Sequence, residues 1–135
     1  MAESIIIHFR DADHSSIEGA LGDCACATTT GWRYPDEDRY TVTMYAYDDL
    51  AQECGPEDVA RIQRALGGLP TYSLVIELAR SRGNQAVDDA ACVARKLLGR
   101  FDGVVDDTYS ELWTPAELEA RTEKRGQAFL DCYRH

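Results

Sequence analysis

Several signatures of common chemistry are missing from this chain. It has no Walker loop and no GxGxxG, and Gly67-Gly68 follows a helix-like segment instead of opening one, so no ring of backbone N–H groups is prepared for a phosphate. It has no CxxC, and its five cysteines (Cys24, Cys26, Cys54, Cys92, Cys132) are an odd number, read most simply as free thiols of a reducing compartment. Cations are scarce: 14 Lys and Arg stand against 24 Asp and Glu, a net charge of −10. That balance excludes nucleic acid, whose phosphates need Lys and Arg, and disfavours anionic membrane surfaces. It suits a basic partner, drawn in by long-range steering that salt weakens. No apolar run approaches the length of a membrane helix, and MAESIIIHFRDADH lacks the basic start and apolar stretch of a signal peptide. A soluble, cytoplasmic protein is expected.

What is present is enough to fold. Hydrophobic residues make up 44% of 135 positions, and a chain of this length buries roughly two-thirds of its unfolded surface without staples. One α+β domain over residues 1–135 is expected, with no repeats. Ser4–Arg10 (SIIIHFR) reads as a buried strand. Ser15–Leu21 is a short helix, capped by Asp13 or Ser15 and stopped at Gly22. Ala25–Tyr34 favours strand through its threonines and aromatics. PDED at 35–38 is turn chemistry. Arg39–Tyr47 alternates, with Tyr40, Val42, Met44 and Ala46 on one face and Thr41, Thr43, Tyr45 and Tyr47 on the other. The strands flanking PDED predict a hairpin.

Gly55-Pro56-Glu57-Asp58 opens a helix whose Val59, Ile62 and Leu66 form a buried stripe. Tyr72–Ala79 is a strand. Asn84 caps a helix running to Leu98, with Gly99 as its stop. Gly103–Asp106 is a short strand. Thr114-Pro115-Ala116-Glu117 is a capping box opening a last helix with a polar body, ELEARTEKR, before Gly126. The expected architecture is a β-α-β-β-α-β, ferredoxin-like core plus an α-(β)-α extension: an antiparallel or mixed sheet with helices on one face.

The candidate chemistries are few. Asp11, Asp13 and His14 have metal-ligand character, but no second His or Cys cluster stands nearby in sequence, and Asp13 is better placed as a helix cap. His8 alternates within a strand and reads as a satisfied sheet histidine. Cys24 and Cys26 lack the helix start that would activate a thiol and read as core residues. Asp106 and Asp107 are neighbours in an extended segment, so they point to opposite faces and cannot easily share a metal or a proton. Asp102, Asp106 and Glu111 would converge only if the chain turned.

Charge placement is the remaining signal. Residues 35–58 hold eight acids and one base, a net of −7; residues 99–119 hold six and one, a net of −5. Tyr40, Tyr45 and Tyr47 lie in the first segment, Phe101, Tyr109 and Trp113 in the second. Aromatics anchor and carboxylates orient when a surface holds a basic protein; ordinary solvated acidic faces carry the same pattern.

The stretch CVARKLLGRFDGVVDDTYSELWTPAEL, Cys92 to Leu118, resembles small bacterial proteins of toxin–immunity systems. There a helix ending in a leucine pair is followed by a Gly, a short strand closing on Asp, and a Trp-Thr that opens the last helix. The matching residues are Leu97, Leu98, Gly103, Asp106, Asp107, Trp113 and Thr114. The resemblance implies a soluble acidic α+β inhibitor, made beside a secreted toxin, with no catalytic residue and no cofactor. The leading expectation is a non-enzymatic immunity protein that binds a basic toxin through Asp106, Asp107, Tyr109, Glu111 and Trp113. The alternative is a metal-dependent or carboxylate-based enzyme using the Asp11/Asp13/His14 run or the Asp102–Glu111 acids. A second alternative is a structural or regulatory domain that forms a homodimer through an open sheet edge.

Overall fold

A computed structural model describes residues 3–47, 55–109 and 111–134. Its strands are β1 (Glu3–Phe9), β2 (Cys26–Ala27), β3 (Trp32–Tyr34), β4 (Val42–Ala46), β5 (Tyr72–Leu78), β6 (Gly103–Asp106) and β7 (Leu112–Trp113). Its α-helices are α1 (His14–Gly22), α2 (Pro56–Leu66), α3 (Asn84–Leu98) and α4 (Pro115–Glu119). The strands form one open sheet in the order β2-β3-β4-β5-β1-β6-β7, with every neighbouring pair antiparallel. Among the described residues no helix is long and apolar enough to cross a membrane.

The hairpin expected around PDED forms, with Trp32 opposite Met44 and Tyr34 opposite Val42. The single strand expected over Ala25–Tyr34 does not. The Thr28 hydroxyl takes the N–H groups of Thr30 and Gly31, and Thr28 N–H donates to the Gly31 carbonyl, so the chain reverses there. A threonine side chain that bonds nearby backbone competes with the ladder, and two short strands result. The six-element run expected from residues 4–79 does not pair as that run predicts either. Its four strands lie in the order β3-β4-β5-β1, whereas β6, from outside the run, takes the other side of β1.

Side chains alternate between the two faces along β1. Ile5, Ile7 and Phe9 are fully buried in the main core with Val42, Met44, Leu74, Ile76 and Val105. Against them pack Ile17 and Leu21 of α1 and the alanine-rich face of α3, where Ala86, Ala90, Ala91 and Ala94 let the helix approach the sheet closely. The N-cap of α3 is Gly83, with no side-chain capping bond, so Asn84 is the first helical residue and not the cap.

Helices do not cover one face only. Ile62 and Leu66 of α2 are buried, but outside this cluster. α2 touches β1 and β6, where His8 and Val104 alternate onto the opposite side, the side that Val75 of β5 also faces. It therefore packs on the second face and covers part of it.

The last helix is also shorter than its sequence suggests. It stops at Glu119; Ala120 is the C-cap, and Arg121 follows in the left-handed region at φ 54°. With a mostly polar surround, only Leu118 of this helix is buried, too narrow a stripe to hold further turns. Lys124 turns back instead. Its ammonium donates to the Leu112 carbonyl at 2.7 Å, pairs with Glu117 at 2.8 Å and lies 4.9 Å above the Trp113 ring. The chain then buries Phe129 and Leu130.

His8 departs from a fully satisfied core histidine. Its Nδ1 shares a 2.8 Å hydrogen bond with the Ser73 hydroxyl, while the buried Nε2 has no hydrogen-bond partner among the described residues. Burial pushes its pKa from 6.5 down to about 4. The charged groups facing this side from the neighbouring elements are Glu77 of β5, Asp106 of β6, and Asp58 and Arg61 of α2, which act on Asp106. With the folded pKa below the unfolded one, the unfolded chain takes up the proton first as pH falls. Stability should therefore drop by about 3 kcal/mol between pH 6.5 and 4 from this group alone, and level off below. Urea titrations across that range should show the slope in the native protein. The double variant His8→Leu with Ser73→Ala, which removes both polar partners, should lose it; an equal slope in that variant would disprove the assignment.

Candidate functional site

The second sheet face is where the two acidic, aromatic segments meet. The register places Tyr45, Val75, Ile6 and Asp106 in one cross-strand row over β4, β5, β1 and β6. Beside it run Thr43, Glu77 and Ser4. Val75 is buried; the others are half-buried, and Asp58 and Arg61 of α2 act on Asp106 at one end of the row. The Tyr45 hydroxyl donates to Glu77 Oε1 at 2.7 Å, which fixes the phenol across two strands. Arg33, opposite Thr43, stacks its guanidinium 4.4 Å over the Tyr40 ring. This is the face that the alternation of Arg39–Tyr47 assigned to Thr43 and Tyr45.

Asp106 lies at the β6 end of the row. Burial raises its carboxyl pKa, against the Thr108 N–H, which donates to Oδ1 at 2.7 Å; Asp107 adds to the rise and Arg61 opposes it. Asp107 points the other way, as neighbours in an extended segment should. It is only 3% exposed, and its carboxylate organises the turn into β7. Oδ1 accepts the N–H groups of Tyr109 at 2.9 Å and Glu111 at 3.0 Å; Oδ2 accepts Trp113 Nε1 at 3.0 Å. Trp113 is likewise buried, edge-on to Phe129 at 5.7 Å. Neither Asp107 nor Trp113 can present its side chain to a partner, so these two of the five expected contact residues are supports.

Glu111 is half-buried and pairs with Arg125 at 3.3 Å. Tyr109 is 68% exposed, on a backbone that Asp107 holds. Thr108, at φ 58°, ties this turn to the edge of the face: its hydroxyl bonds the Ser4 carbonyl at 2.5 Å and the Tyr133 hydroxyl at 2.9 Å. Tyr133 in turn donates to the Asp107 carbonyl at 2.5 Å. Thr108, Tyr133 and Glu77 went unremarked in the sequence. Only Glu77 had a signal, as the one acid inside an otherwise apolar strand.

Asp13 and His14 of the enzyme alternative make local contacts, and Asp11 is exposed. Asp13 caps α1 through Ser16 N–H at 2.8 Å, and the hydrogen bonds from Ser16 hold its carboxyl below the usual range. His14 meets the Tyr72 hydroxyl at 3.0 Å and Glu18 at 3.6 Å. Asp102 is exposed on the loop before β6, while Asp106 and Glu111 face different surroundings. Among the described residues, no three His, Cys, Asp or Glu side chains are grouped to hold a metal ion. Cys24, Cys26, Cys92 and Cys132 are free and half-buried; burial raises the Cys132 thiol to about 11, and Asp107 adds to it. Cys54, Asp48, Asp49 and Glu53 lie outside the described residues. Compared with protein-family models, with curated proteins and with solved structures, this chain matches none.

Proposed function

We propose that this chain is a non-enzymatic, acidic protein-binding domain: an immunity protein that caps a cognate basic toxin in the cytoplasm of the cell that makes it. The observation that carries the reading is the cross-strand row Tyr45–Val75–Ile6–Asp106 with Glu77 beside it. A half-covered sheet face offers a broad surface, apolar in the middle and acidic at its flank. Tyr45 is held in place by Glu77 and Tyr109 by its loop, so both pay little ordering cost on binding. The net charge of −10 supplies steering toward a basic protein.

The same reading includes the fold. β1 and β4 run parallel with β5 between them and are joined through α1; β5 and β6 run parallel with β1 between them and are joined through α3. Two interlocked split βαβ units of this kind are the ferredoxin-like pattern, here with β2 and β3 added at one edge, β7 at the other, and α2 inserted before β5.

The test uses the secreted, basic product of a neighbouring gene as titrant. Tyr109→Ala should weaken binding about tenfold, as loss of an exposed aromatic anchor does. Glu77→Gln keeps the acceptor for Tyr45 but drops the charge, and should slow association and flatten its salt dependence. Stoichiometric metal in protein purified without chelators, or binding unaffected by either change, would overturn the reading.

A further inference from the structure

α2 is held more lightly than α3. Of its 11 residues only Ile62 and Leu66 are buried, whereas α3 buries Ala86, Val87 and a continuous stripe from Ala90 to Leu98. Both ends of α2 are glycine: Gly55 caps it with no side-chain bond, and Gly67, at φ 81°, ends it before Gly68. A helix with so few buried apolar groups is the kind of unit that opens locally while the rest of a protein stays folded.

On the sheet face under α2 lies His8, 0% exposed, its Nε2 without a hydrogen-bond partner among the described residues. Ser73 of β5 holds Nδ1 at 2.8 Å. The charged groups around the ring come from every neighbouring element. Arg10, one residue past β1, reaches Gly67 at the end of α2 and bonds through its N–H to the carbonyl of Asp102. β5 supplies Glu77, β6 supplies Asp106, and α2 supplies Asp58 and Arg61. None of them is hydrogen-bonded to the imidazole. A proton on Nε2 would be a buried charge without an acceptor, which is costly until water reaches it.

We propose that α2 is an acid-released flap: protonation of His8 lifts it from β1 and β6 about its glycine ends, while the core on the other sheet face stays packed. The inference concerns this chain alone and does not rest on the partner-binding reading. The ring titrates at about 4 under α2 and at 6.5 once wetted, so the opened form takes the proton first. Its population should rise about tenfold for each pH unit below 6.5. Asp106 acts the other way: burial raises its carboxyl, so the closed form protonates first and closure gains as pH falls.

The experiment is native-state amide exchange on the full chain at pH 7, 6 and 5, in water and in urea below the unfolding transition, with rates corrected for the intrinsic pH dependence of exchange. Residues 60–66 should open about tenfold more often at pH 5 than at pH 6, with little dependence on urea. Residues 90–97 of α3 should stay at least about tenfold more protected and should follow urea steeply, as amides released only by global unfolding do. His8→Gln, neutral throughout this range, and the double variant His8→Leu with Ser73→Ala should each flatten the pH dependence of α2; Asp106→Asn should keep or steepen it. One protection level and one urea slope shared by α2 and α3, α2 exchange that ignores pH, or a pH dependence that survives both His8 variants would overturn the proposal.

Discussion

Replacing Asp107 by Ala should cost about 4 kcal/mol, close to the upper range for a point substitution. The carboxylate is 3% exposed and accepts three N–H groups, from Tyr109, Glu111 and Trp113. Hydrogen bonds to a buried charge are stronger than neutral ones, and a buried donor left without its partner costs about 1–3 kcal/mol. Removal strands the buried indole N–H of Trp113 and frees two part-buried backbone N–H groups at once. Asn is a graded control. Its amide keeps one acceptor oxygen but turns an NH₂ toward a donor, so it should lose about half as much. Urea denaturation gives the energies. The indole of Trp113, one of two tryptophans, should shift its emission to the red as the turn opens. A loss below about 1 kcal/mol in the Ala variant would show that the turn is held by something else. The variant also bears on function: with the backbone freed, Tyr109 would have to be ordered on binding, so partner affinity should fall even where the protein remains folded.

This residue shows how far the sequence could be read. That Asp106 and Asp107 face opposite ways follows from strand pleating, and the structure bears it out. Which of them is buried does not, because that depends on an indole six residues on and on a tyrosine 26 residues on. The same division runs through the fold. Local chemistry was legible: Asp13 and Thr114 cap their helices as expected, and Gly67 ends α2 in the left-handed region. The placing of α2 was not. Its Ile62 and Leu66 announce a buried stripe, but a stripe does not say which sheet face it will meet. The signal was present in β1, where His8 is as buried as Ile7. A strand wrapped on one side only would have left His8 facing water. Likewise the acid-rich segments 35–58 and 99–119 could be counted from the sequence, whereas their approach through Asp58 and Asp106 needed the strand order.

Gly31→Ala should be as damaging as loss of the Asp107 carboxylate, about 4 kcal/mol, for a reason that involves no polar group. A Cβ at this position would stand 1.9 Å from the Met44 carbonyl oxygen, 3.0 Å from its carbon and 3.2 Å from the Tyr45 Cα. All three are backbone atoms of β4, so no side chain can swing aside. Relief requires β3 to lift from β4, which breaks the pairing of Trp32 with Met44 and pulls Trp32, 4% exposed, out of the main core. Gly19→Ala supplies the contrast. Gly19 lies inside α1, exposed, with no neighbour within 4 Å of its Cβ position, and alanine there should gain roughly 0.5–1 kcal/mol. Urea midpoints should therefore move in opposite directions for the same added methyl, and hydrogen exchange should quicken at residues 32–34 in the first variant only. If Gly31→Ala cost less than about 1 kcal/mol, the close approach of the two strands would not be a feature of the folded protein. Since β4 also carries Thr43 and Tyr45, the same variant should weaken capture of a basic partner through the distorted sheet face, with every acid still in place.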